Sequence, residues 1–151
     1  MFLPSNDDIL SLRPMEALHQ HAMAGSPASS TSAFLKSEFT KIIRQLKGNE
    51  DSMQEWSHSL IQAYNEPPRH YHTVSHISSM LQLFQTHRHL ITKPTVVQLA
   101  IFFHDWIYDP KAHDNELRSV FAFKTFAAEL DLDESLIETV RTISKLQSPT
   151  H

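Results

Sequence analysis

Two short stretches concentrate the side chains able to hold a metal or move a proton. The first, RHYHTVSHI from Arg69 to Ile77, places His70, His72 and His76 within seven residues. The second, LAIFFHDWIYD from Leu99 to Asp109, delivers His104 and Asp105 directly after a run, Val96 to Phe103, in which Gln98 is the only strongly polar residue. With 11 histidines in 151 residues, one H-x-x-x-H pair is expected by chance, so the His72/His76 spacing alone is no evidence for a site and reads as a polar helix start ahead of a ligand cluster. The second stretch carries more weight. An imidazole and a carboxylate at the end of a buried helix are costly unless they pair with each other or bind a cation. A structural His–Asp pair satisfies that demand; so does a site in which His76 from one helix meets His104 and Asp105 from another, as facing side chains do in helical bundles.

A chain with no cysteine has no thiolate to offer, so a cation would be held by imidazole and carboxylate. That mixed set suits a divalent metal ion, Mn, Mg, Fe, Co, Ni or Zn, without choosing among them.

The elements that must position these residues read as helices. Apolar residues recur at 3.6-residue spacing, no run alternates as a strand would, and the chain has only 2 glycines. Residues 1–32, rich in Ser, Pro and Ala, read as a flexible leader, and 33–151 as one all-α domain. A first helix is expected over about 33–47, with Phe34, Leu35, Phe39, Ile42, Ile43 and Leu46 inward and Gly48 as its stop. A second covers about 52–64. The segment EPPRHYH breaks it, and a third helix starts near Thr73 with Val74, Ile77, Met80, Leu81 and Phe84 inward. The central helix is expected to be capped by Thr95 and stopped before Pro110. A fifth, about 115–130, runs through Leu117, Val120, Phe121 and Phe126, and a sixth, about 134–147, through Leu136, Ile137, Val140 and Ile143.

The net charge of -4 and pI near 6.2 offer no electrostatic footprint for bulk nucleic-acid binding. No apolar run has bilayer-spanning length and no signal peptide opens the chain, so no membrane partner is expected and a cytoplasmic setting fits a cysteine-free protein.

Together, EPPRHYHTVSHI and LAIFFHDWIYDPKAHDNELRS resemble the HD superfamily of metal-dependent phosphohydrolases, whose metal pattern is H...HD...D on a helical bundle. The resemblance spans about residues 50–147 and implies an HD-domain-like fold. It implies His76, His104 and Asp105 as metal ligands, with a nucleotide or other small phosphoester as substrate. Tyr71, His72 and His76 also look like the Y-H-N-x-x-H-A segment of cyclic-nucleotide phosphodiesterases, with Thr73 in place of the Asn, which makes His72 the candidate general acid. Glu116 is a candidate to orient or deprotonate the attacking water, or else a first-turn carboxylate beside an Asp114 cap. Arg69 is a candidate bidentate phosphate contact, or else a surface salt bridge. Asp109 reads as a turn residue before Pro110.

The family pattern ends in a further Asp, and no acidic residue follows Glu138 here. Asp131 and Asp133 read as caps. The bundle is therefore expected to be incomplete at its C-terminus, with weak metal binding, and with the apolar faces of Val96–Phe103 and Leu117–Phe126 exposed, favouring self-association. The rival reading is a non-catalytic helical module that serves protein contacts.

Overall fold

The computed structural model describes residues 28–67, 69 and 73–147. They form six α-helices and one 3-10 turn, with no strand among the described residues: α1 (Ala28–Gln45), α2 (Glu50–Tyr64), α3 (Val74–His87), the turn Arg88–Leu90, α4 (Pro94–Phe103), α5 (Asn115–Glu129) and α6 (Glu134–Gln147). The all-α bundle expected from periodicity is what the chain adopts. No helix among the described residues is long and apolar enough to cross a membrane.

Helix α4 is the centre. Every residue from Val96 to Phe103 is buried, and α3, α5 and α6 all pack on it, while α1 packs on α2 and α3. A helix apolar on all sides satisfies its surface only by being surrounded. Val96–Phe103 are therefore covered, contrary to the expected exposure. At its start the sequence reading is corrected: Pro94 occupies the first turn and Lys93 the cap position, with no side-chain cap bond. Proline's fixed φ suits that place, where its missing N–H has no helical partner in any case. Helix α4 also ends at Phe103, well before Pro110, because the polar His104–Asp105 pair begins a stapled turn instead of another helical turn.

Helix α1 begins at Ala28, with its Thr31 buried, so residues 28–32 are helical; the rest of the segment assigned to a leader lies outside the described residues. At its other end Lys47 takes the left-handed conformation (φ 63°), and the N–H of Gly48 returns to the carbonyl of Ile43 at 2.9 Å. Gly48 ends the helix by close approach: a Cβ there would collide with the Ile43 side chain.

Helix α5 turns a different face inward from the one read from sequence. Ser119, Phe123, Phe126 and Ala127 are buried, whereas Leu117 and Phe121 are 70% and 72% exposed. The register is set from outside the helix. Ser119 is bonded to the backbone of Ile107, and Phe123 and Phe126 pack on Phe103 with ring centroids 5.2 and 5.0 Å apart. Asp131 (φ 52°) closes α5, and Asp133 Oδ1 accepts the Ser135 N–H at 2.6 Å at the start of α6. Both aspartates serve as helix-end residues, as read.

Candidate metal centre

The C-terminal end of a helix leaves its last carbonyls without intrahelical partners, and burial makes each of them expensive. At the end of α4 nearly every such carbonyl has a partner. Ala100 O accepts the backbone N–H of His104 at 2.9 Å, and Ile101 O lies 2.8 Å from His104 Nδ1. Phe102 O accepts the buried Tyr64 hydroxyl at 2.7 Å, and Phe103 O accepts the N–H of Trp106 at 3.3 Å. Further on, Arg69 donates from Nη1 to Asp105 O and from Nη2 to Trp106 O, both at 2.7 Å. Ser119 Oγ then accepts the Ile107 N–H at 2.9 Å.

The network fixes chemistry as well as backbone. A carbonyl can only accept, so Nδ1 of His104 carries the proton it donates to Ile101 O, and Nε2 is the nitrogen left to face other ligands. Metal-binding histidines are oriented in the same way, with one ring nitrogen tied to a carbonyl and the other turned to the ion. Nε2 lies 3.0 Å from Oδ2 of Asp105.

His76 arrives from the first turn of α3. It is buried, and its ring sits 5.9 Å from that of His104, edge to face. One ligand atom from each of His76, His104 and Asp105 lies within 4.8 Å of the other two. Bonds of about 2.1 Å to a common ion put neighbouring ligands about 3.0 Å apart and opposite ones about 4.2 Å apart. The 3.0 Å His104–Asp105 spacing matches the first figure, and the 4.8 Å envelope exceeds the second by about 0.6 Å, so a small inward shift of the side chains would let all three share an ion. The three residues fit a divalent cation, and they are the ones the sequence singled out.

Electrostatics supports the pairing. Burial, the largest single influence on His104, pulls its pKa down. The Asp105 charge, the side-chain hydrogen bond to it and the backbone contacts outweigh that and raise it above the ordinary 6.5. In the metal-free chain the neighbouring Asp105 thus favours the protonated form of the His104 imidazole. Tyr64, buried and close to Asp105, has its phenol pushed well above its usual range, mainly by burial, and so stays a neutral donor to Phe102 O.

Arg69 is fully enclosed, its guanidinium 4.7 Å from the ring centre of Tyr64 and 5.5 Å from that of Tyr108. With both Nη atoms on the carbonyls of Asp105 and Trp106, it acts on the site by holding the turn that carries Asp105. Asp109 is a turn residue, as read: Oδ1 accepts the Lys111 N–H at 2.9 Å, and its backbone is gripped by the Asn115 side chain at 3.0 and 2.8 Å. Asp114 precedes α5 but makes no side-chain cap bond.

Glu116 lines a cleft with His104, Ser119, Arg141 and Ser144, which brings it to the same flank as that histidine. His72 lies outside the described residues. The sequence reading missed the parts played by Tyr64 and Ser119 and the presence of Arg141 in the cleft. Tyr64 and Ser119 act on backbone carbonyl and amide groups far away in sequence, and no spacing signal reports such a contact.

No family model, curated protein or solved structure matches the chain.

Proposed function

We propose that the chain is a metal-dependent phosphohydrolase in which His76, His104 and Asp105 hold a divalent cation and a small phosphoester, such as a nucleotide, is the substrate. The observation that carries this reading is the convergence of those three residues, with Nε2 of His104 aimed by the Nδ1 contact to Ile101. The resemblance of the two motifs to HD phosphohydrolases supplies the reaction class.

A bound divalent cation would supply Lewis acidity and make water a competent nucleophile near neutral pH. Asp105 contributes the negative charge of the ligand set, and the two imidazoles contribute neutral nitrogens once His104 has lost its second proton. Glu116, which lines the cleft beside His104, would in this reading take a proton from the attacking water. His72 donates a proton to the leaving oxygen in this reading, a role that rests on its motif. Arg69 and Tyr64 hold the α4 end in shape and do not meet the substrate.

A second reading has its own observation: the 3.0 Å contact between His104 and Asp105 is also what a structural ion pair would show. Turnover separates the two. A panel of nucleotides, a phosphomonoester and a generic phosphodiester, assayed with each of Mn, Mg, Fe, Co, Ni and Zn, should reveal hydrolysis that His104→Ala and Asp105→Ala abolish while helicity by circular dichroism persists. Undiminished turnover in both variants would remove the ligand assignment, and no turnover with any metal in the parent chain would favour the structural pair.

A further inference from the structure

The cleft that Glu116 shares with His104 is closed on its α6 side by Arg141, the one permanently charged cation among its lining residues. Its guanidinium is only partly used. Nη1 donates to Glu138 Oε1 at 2.7 Å, while Nε is enclosed without an acceptor and no hydrogen bond reaches Nη2 among the described residues. Nε and Nη2 lie on the same edge of the planar group, and that edge is the one with which arginine grips two oxygens of a phosphate or carboxylate at once. A buried donor left without an acceptor is unfavourable, so an anion that drew the guanidinium off Glu138 would satisfy what the resting arrangement does not.

We propose that Arg141 is the anion-binding residue of this cleft, gripping the phosphoryl oxygens of the substrate beside His104, with Glu138 as the carboxylate that holds the guanidinium until the anion displaces it. The choice of a phosphoryl group as the anion rests on the phosphohydrolase reading; the presence of an oxyanion site does not. Glu116 and Glu138 both oppose an incoming anion, so the grip is expected to be modest and to respond directly to removal of the Glu138 charge. Nothing in the motifs of the sequence points to this residue, which stands at the edge of the Val140–Ile143 apolar stripe like any surface cation.

Inorganic phosphate and phenyl phosphate, titrated by calorimetry into the full chain equilibrated with Mg, test the proposal. Arg141→Ala should weaken both about ten- to a hundred-fold, the loss expected for a charge-assisted bidentate contact. Arg141→Lys, which keeps the charge but loses the fork, should also weaken them, and Glu138→Gln should tighten both several-fold. Metal content should be unchanged in all three. Parent-like phosphate binding by a folded Arg141→Ala chain would overturn the proposal. Should that variant fail to fold, unchanged or weaker binding in Glu138→Gln would overturn it instead, as would absence of phosphate binding in the parent. The same titration on His104→Ala keeps the two ideas apart: Arg141-dependent phosphate binding that survives there stands without the metal reading, and loss of hydrolysis in His104→Ala with inert Arg141 variants leaves the metal reading standing alone.

Discussion

Arg69 and Asp105, thirty-six positions apart in sequence, are joined through the backbone: the guanidinium donates to the main-chain carbonyl of Asp105 at 2.7 Å. The carboxylate lies 3.0 Å from His104 Nε2, and the arginine fixes the backbone from which that carboxylate starts. Loss of the clamp should be felt twice. Arg69→Ala should lower unfolding stability by roughly 2–4 kcal/mol, since two buried carbonyls lose a charged donor. It should also weaken metal binding. Chemical denaturation and a metal titration on the same preparation check both, and a variant that lost stability with parent-like metal affinity would show that the clamp does not position Asp105.

Tyr64→Phe removes one hydroxyl and leaves Phe102 O buried without its donor. A cost of about 1–3 kcal/mol is expected, from a change that keeps the ring packing intact. Equal urea midpoints for variant and parent would mean that Phe102 O finds another partner.

Gly48→Ala tests the close approach at the end of α1. The added methyl meets Ile43, so about 1–3 kcal/mol of destabilisation is expected. The double change Gly48→Ala with Ile43→Ala, which makes room, should cost less than the sum of its parts.

The sequence revealed the site's members better than its supports. His76, His104 and Asp105 stood out because polar, ionisable residues beside buried apolar runs need a partner, and the bundle brings those three together. The helices were legible from period alone, and the inward faces of α1 and α3 came out as read. The face of α5 did not. Leu117 and Phe121 are as apolar as Phe123 and Phe126, so period alone leaves two neighbouring stripes open, and the choice is made by the Ser119 bond to Ile107 and by the Phe103 ring. Arg69 reads from sequence as a cation looking for an anion; only the fold shows two carbonyls within its reach.

The raised pKa of His104 gives a pH dependence with a definite sign. In the metal-free chain the imidazolium–carboxylate pair adds stability that is complete below the unfolded pKa, near 6.5, and is lost as pH rises through the higher folded value. Thermal unfolding of metal-free protein should show this decline, and Asp105→Asn should flatten it. Metal binding has the opposite slope, because the cation must displace the proton on Nε2: affinity should climb with pH until that raised value is passed. Affinity that stayed level from pH 6 to pH 8 would mean that His104 is not a ligand.

The most direct measurement is metal stoichiometry by mass spectrometry and calorimetric titration on the parent chain and on His76→Ala, His104→Ala and Asp105→Ala. The expected result is one divalent ion bound by the parent, with affinity reduced at least ten-fold in each variant and helicity retained. Parent-like metal binding in all three variants, or no binding by the parent to any of Mn, Mg, Fe, Co, Ni and Zn, would contradict the assignment of these residues as a metal centre.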